Sequence, residues 1–156
     1  MNKEPTLTID ELSREVRNFN SNASHRVSTP ERRAKELIDE TVYQLFPEQS
    51  FRFDDEIVKN SLDELLLVLI ALRDEQTHGK ELMNDLASVF DSRLSPGTVY
   101  PRLHELEEEG MLAVHELVRT KEYRINDPEA TRMAIQAAMS QHIALGYVLF
   151  TALQEM

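Results

Sequence analysis

The stretch Leu94-Ser95-Pro96-Gly97-Thr98-Val99-Tyr100-Pro101-Arg102-Leu103-His104-Glu105-Leu106-Glu107-Glu108-Glu109-Gly110-Met111-Leu112 reads as a capped helix with one apolar stripe and a glycine stop. Ser95 suits the N-cap, where its hydroxyl can accept from the orphan amides of the first turn. Pro96 has the fixed φ and missing amide hydrogen that the first helical position tolerates. Val99, Leu103 and Leu106 recur at i, i+4 and i+7, so one face is buried. Gly97, Thr98, Pro101, His104 and Glu105 lie opposite, leaving a face free to enter a groove. Pro101 removes the amide that would bond the Gly97 carbonyl, which predicts a bent or tightened first turn. Gly110 then ends the helix as a C′ residue.

The flanking sequence sets this helix in a larger motif. Upstream, Ser61-Leu62-Asp63-Glu64 has the pattern of a capping box opening a helix to about Arg73, with Leu65, Leu66, Leu69, Ile70 and Leu72 apolar. After the break at Gln76-Thr77-His78-Gly79, a second helix runs from about Lys80 to Phe90 with Leu82, Met83, Leu86, Val89 and Phe90 inward. Downstream, residues 112–118 and 122–125 read as two short strands joined at Arg119-Thr120-Lys121. The fold class expected is mostly α with a small β-hairpin wing, a winged helix-turn-helix.

Ser95-Pro96-Gly97-Thr98-Val99-Tyr100-Pro101, followed by Leu103, Leu106-Glu107 and Gly110-Met111-Leu112, resembles the PadR-like winged-helix transcriptional regulators. Weaker likeness lies in His78-Gly79 and in residues 121–126, and the resemblance covers Leu62 to the C-terminus. The family has an aromatic after its His-Gly, where this chain has Lys80. The resemblance implies a homodimer that binds double-stranded operator DNA through the recognition helix and wing. The helix start (Ser95, Gly97, Thr98, Tyr100) would meet phosphates or base edges, Arg102 and His104 would flank the groove, and Arg119 and Lys121 would hold the backbone from the wing. Some family members bind aromatic effectors against tryptophans at the dimer interface. This chain has no Trp, which leaves a small-molecule effector unassigned.

Composition bounds the rest. The 156 residues, 41% hydrophobic, are enough for one proper core with appended segments. No run reads as long enough to span a membrane and no signal-peptide pattern is seen, so the expected location is cytoplasmic. With no Cys, disulfides and thiolate metal sites are excluded. His25, His78, His104, His115 and His142 lack zinc-ligand spacing, and His104 with Glu108 reads as a surface pair. No metal, cofactor or catalytic residue is expected, since phosphate loops and nucleophile elbows are missing too.

The charge conflicts with a DNA partner. Asp plus Glu number 28 against 17 Lys plus Arg, a net −11, whereas phosphate binding calls for cations. Glu105 and Glu108 even fall on the outer side of the expected reading helix. Such a composition resembles proteins of salt-loving organisms, a halophilic archaeon in particular, where a Debye length of about 3 Å at 1 M salt screens self-repulsion. An ordinary acidic surface is the plainer reading. A second function also stays open: a winged helix serving as a protein-interaction module without DNA readout. Positive charge focused on the recognition helix and wing, or dispersed, separates the two.

Three segments are expected: a helical extension over 1–60, the DNA-binding domain over 61–126, and a C-terminal dimerisation helix over 127–156. Asn126 with Glu129 suggests a capping box, and no breaker but Gly146 follows Pro128 as far as Gln154, giving a helix of roughly 40 Å. Its end is apolar nearly all round, and Ile143, Tyr147, Leu149, Phe150 and Leu153 are the expected dimer contacts. In the extension, Thr8-x-x-Glu11 opens a short amphipathic helix with Ile9, Leu12, Val16 and Phe19, before a polar linker over 20–24. Thr29-Pro30 opens another with Leu37, Ile38, Val42, Leu45 and Phe46, closed by Pro47. Phe51 and Phe53 alternate as in a short strand. Arg26, Arg32, Arg33 and Lys35 gather near the second helix's start, which suits a solvated cluster balanced by Glu31, Glu36 and Asp39, or phosphate contact.

Overall fold

The computed structural model describes residues 29–156 apart from 49, 74 and 75; the expected helix over 8–19, its linker and Arg26 lie outside them. The elements run α1 (Pro30–Leu45), α2 (Asp55–Asn60), α3 (Leu62–Leu72), β1 (Thr77–His78), α4 (Gly79–Phe90), α5 (Pro96–Glu108), β2 (Leu112–Glu116), β3 (Lys121–Ile125) and α6 (Pro128–Glu155). The class is the one expected, mostly α with a hairpin wing. Its sheet gains a third strand, in the order β1-β3-β2 and antiparallel throughout, with His78 opposite Glu122 and Glu122 opposite His115. Two residues carry no periodicity of their own, so β1 is visible only once β3 offers its edge.

The core joins one face of each helix. Leu62, Leu66, Leu69 and Ile70 of α3 meet Leu82, Leu86 and Phe90 of α4 and Val99, Leu103 and Leu106 of α5, with Leu112 and Tyr123 closing the sheet side. The apolar stripes thus face inward as their spacing dictates. The extension contributes Ala34, fully covered, and Val58, while Leu45 of α1 stays exposed. No strand forms at Phe51 and Phe53. Their rings join Phe46 and Phe90 in a chain of contacts at 4.7, 5.1 and 5.3 Å, an edge-and-face packing that aromatic quadrupoles favour.

Caps are where local reading and structure part. Ser61 does not cap α3, because α2 precedes it directly: its amide bonds the Ile57 carbonyl, and its hydroxyl meets His142 Nε2 of α6 at 3.2 Å. At α6 the cap is Asp127, accepting from the Ala130 amide at 2.9 Å, since Pro128 at the first helical position fixes the residue before it as the cap. Asn126 instead donates to the Gly110 carbonyl at 2.8 Å, tying the end of β3 to the end of α5. Gly110 has φ 76°, the left-handed stop expected of it. β2 ends at Glu116, not Val118, and the hairpin closes with Leu117 N–H donating to the Thr120 carbonyl at 2.8 Å.

Helix α6 corrects one exclusion. It is 28 residues long and its most apolar 18-residue window reaches a mean hydropathy of 1.2 with none of the window buried, so by length and composition it could cross a bilayer. Its first turns pack on α3 through Thr131, Ala134 and Ile135, but residues 139–156 are all exposed.

Candidate nucleic-acid interface

Helix α5 begins with a tightened turn: the Ser95 carbonyl accepts from both Thr98 N–H at 2.9 Å and Val99 N–H at 3.2 Å. That bond occupies the amide which the Ser95 side chain would have capped. The hydroxyl therefore pairs with the Thr98 hydroxyl at 3.0 Å, leaving two exposed polar groups side by side at the helix start. The helix continues unbroken through Pro101. Its outward face carries Gly97, Tyr100, Pro101, His104 and Glu107, which together with Lys121 and Tyr123 of β3 line one concavity between helix and wing.

A second groove adjoins it. Tyr100 also faces the wing turn, where His78, Gly79, Lys80, Arg119 and Lys121 surround a volume of about 480 Å³. Of the residues expected at the interface, Gly97, Tyr100, His104, Arg119 and Lys121 are thus gathered around α5 and the wing, with Ser95 and Thr98 at the helix start. Arg102 points elsewhere: its guanidinium is shared between Asp63 of α3 at 2.8 Å and Glu105 at 2.9 Å. Asp63, partly buried, has its pKa raised, burial outweighing the opposing attraction of Arg102. Arg102 therefore ties α5 to α3, a long-range pairing that spacing alone does not display.

The local charge is mixed. His104 sits between Glu107 at 3.5 Å and Glu108 at 3.6 Å, the second being the expected surface pair. Lys121 contacts Glu116 at 3.0 Å across the hairpin, and that carboxylate raises the lysine pKa. Glu122 presents one oxygen to His115 at 3.4 Å and the other to His78 at 3.8 Å. No group of three or more His, Cys, Asp or Glu suited to a metal occurs among the described residues. Lys80 and Arg119 make no ion pair among the described residues and stand free at the groove rim. Sequence reading passed over Lys80 as a site residue. The His-Gly before it held the signal, since that pair begins α4 at the edge of the wing.

Behind the groove, the start of α4 is fixed by buried chemistry. Glu81 accepts from the His78 amide and the Thr77 hydroxyl, each at 2.9 Å, and the amide bond above all holds its carboxyl below the usual range. Arg73, just after α3, grips Asp85 of α4 with three contacts of 2.8–3.0 Å.

This arrangement of helix, helix, reading helix and hairpin defines a winged helix-turn-helix domain. Residues 67–133 match the Transcriptional regulator PadR-like family, the one the sequence resembles. The transcriptional activator GvpE of Haloferax mediterranei is 47% identical over 96 residues, covering 62% of this chain and 50% of that protein. GvpE1 of Halobacterium salinarum, also a transcriptional activator, is 43% identical over 102 residues, covering 65% and 53%. The chain thus matches about half the length of these relatives, both from haloarchaea, as the acidic composition led one to expect. A transcriptional regulator from Clostridium thermocellum shares the fold with a TM-score of 0.51 at 19% identity, covering 62% of this chain and 94% of its own.

Proposed function

We propose that this chain is a sequence-specific DNA-binding transcriptional regulator that acts as a homodimer in a salt-rich cytoplasm. The observation that carries it is the pair of adjoining grooves between α5 and the wing, which share Tyr100 and Lys121, with Lys80 and Arg119, unpaired among the described residues, lining one of them. Cations at this groove suit contact with DNA phosphates, a use that the interaction-module reading does not supply. Phosphate contacts from the wing would set the register, and Thr98, Tyr100 and His104 would meet the groove.

Dimerisation is inferred from α6. A protomer that leaves Ile143, Tyr147, Leu149, Phe150 and Leu153 between 43% and 67% exposed carries an apolar surface of the kind that marks an interface. The apolar run from Ile143 to Leu153 follows Gln141-His142 and stops at Gln154-Glu155. The helix as a whole is long and apolar enough to cross a bilayer, but its near-continuous apolar run is confined to this stretch of fewer than the roughly 20 residues that span one, which favours pairing with a second copy. The segments 1–60, 61–126 and 127–156 then serve as extension, DNA-binding domain and dimer element.

Selection of bound sequences from random duplexes in near-molar potassium chloride tests the function. On the selected site, Arg119→Ala should weaken binding about equally for all sequences, as a phosphate contact does. Thr98→Ala should instead change preference at one position by roughly 1–3 kcal/mol. Recovery of no enriched sequence would favour the interaction module.

Salt provides a separate check. Glu107 lines the groove and Glu108 contacts His104 beside it, so on this reading DNA approaches carboxylates that mobile cations have to screen or bridge. Specific binding should persist, or strengthen, in an anisotropy titration from about 0.2 to 2 M potassium chloride, a range that carries the Debye length well below 10 Å. Glu107→Gln with Glu108→Gln should restore the negative slope of ordinary counterion release. A steep negative slope in the unmodified protein would mean that its acidic residues lie away from the DNA.

A further inference from the structure

We infer that Gly79, which presents no side chain of its own, is a positioning residue that seats Tyr100 of the recognition helix for contact with the DNA backbone. The inference rests on reading α5 and the wing as the DNA-facing side.

The geometry is specific to this glycine. A Cβ built on Gly79 would lie 2.6 Å from Cε1 of Tyr100, 2.8 Å from its hydroxyl oxygen and 2.9 Å from Cζ, distances that real Cβ atoms do not show. The same atom on Gly97 would come no closer than 3.8 Å to anything, and on Gly110 or Gly146 would meet nothing within 4 Å. Backbone conformation does not demand glycine at 79 either, because Gly110 is the one described glycine with positive φ. What position 79 supplies is space, and the tyrosine ring fills it. Gly79 is buried beneath that ring, while Tyr100 remains 41% exposed on the other side, in the groove that Lys80, Arg119 and Lys121 line. The hydroxyl is thereby held over the beginning of α4, in a groove lined by Lys80, Arg119 and the Glu116-paired Lys121, where a phosphate oxygen could accept from it.

Adding a methyl group at 79 would strike the far end of a partly exposed side chain, and not backbone. The partly exposed ring is the group that has to give way, whereas the start of α4 stays pinned by Glu81 on the His78 amide. The cost should therefore fall on where Tyr100 points more than on folding.

A double-mutant cycle on the selected duplex, followed by anisotropy and by thermal melting, reads this out. Tyr100→Ala and Gly79→Ala should each weaken binding by about tenfold, the scale of one hydrogen bond to a charged group. The pair together should be within about twofold of Tyr100→Ala alone, because the seat has no function once the ring is gone. Tyr100→Phe, which keeps the ring on its seat, should melt like the unmodified protein yet bind less tightly. If Gly79→Ala binds normally, or if the two losses multiply in the double variant, the seat is disproved. If Gly79→Ala fails to fold, recovery of folding in Gly79→Ala with Tyr100→Ala still identifies the ring as what position 79 accommodates, and no recovery refutes it. Unchanged binding by Tyr100→Ala, by contrast, would locate the error in the DNA-facing reading itself.

Discussion

Phe150→Asp is expected to convert a dimer into a folded monomer and to lower the affinity for a two-fold site by at least about a hundredfold. In the isolated protomer Phe150 is 43% exposed and stacks at 6.3 Å on Tyr147, one turn away along the same helix. A carboxylate there costs a monomer little, because water reaches it. Packed against a second α6, the same carboxylate would be desolvated with no cation opposite, and the cation supply on this helix is poor: Arg132 is the sole Lys or Arg between Pro128 and Glu155. Burying one unpaired charge costs several kcal/mol, and 1.4 kcal/mol is a factor of ten in association. Loss of DNA affinity follows because the second reading helix no longer arrives at high effective concentration once the first is bound. Light scattering in high salt, circular dichroism and anisotropy together check it. A variant that keeps the mass of the unmodified protein would show that Phe150 faces solvent. Co-flotation of the unmodified chain with lipid vesicles would assign the apolar end of α6 to a bilayer instead.

Asp85→Ala should destabilise the domain by about 3–5 kcal/mol, the scale of a buried ion pair deprived of one partner. Arg73 and Asp85 have side chains only 9% and 5% exposed. The guanidinium bridges the end of α3 to the middle of α4 with its fork on both carboxylate oxygens. Without Asp85 the cation stays below the surface and loses its fork, and Glu81, 3.8 Å from it, is already engaged by Thr77 and His78. Salt should not rescue the loss, since buried pairs are screened far less than exposed ones. Replacing both residues by leucine should restore much of the stability, because apolar packing avoids the desolvation that both charges suffer. Urea unfolding at fixed protein concentration measures all three proteins. An Asp85→Ala loss below about 1 kcal/mol would show that the contact behaves as a surface pair.

Local chemistry decided much of this molecule. The Ser95-Pro96 start and Gly110 stop delimit α5, the Val99, Leu103 and Leu106 stripe says which face is buried, and alternation marks β2 and β3, all within a few residues of chain. The same range of reasoning put Gly97, Pro101 and His104 on the outer face of α5 and Arg119 and Lys121 on the wing. The excess of acid, a property of composition alone, agrees with the haloarchaeal source of the relatives.

What tertiary structure alone decided were pairings between residues distant in sequence, where the best partner overrides the local one. Ser61 sends its hydroxyl across 81 positions to His142 in place of capping its own helix. Arg102 reaches back 39 positions to Asp63, so an arginine that belongs to the reading helix by sequence is held between α5 and α3. Thr77 and His78 become a strand because β3 has an unpaired edge beside them. Gly79 has no local reason to be glycine at all. Its reason is a tyrosine ring from the next helix, which occupies the space of a missing side chain, and a shape filled from outside leaves no trace in the periodicity of either segment.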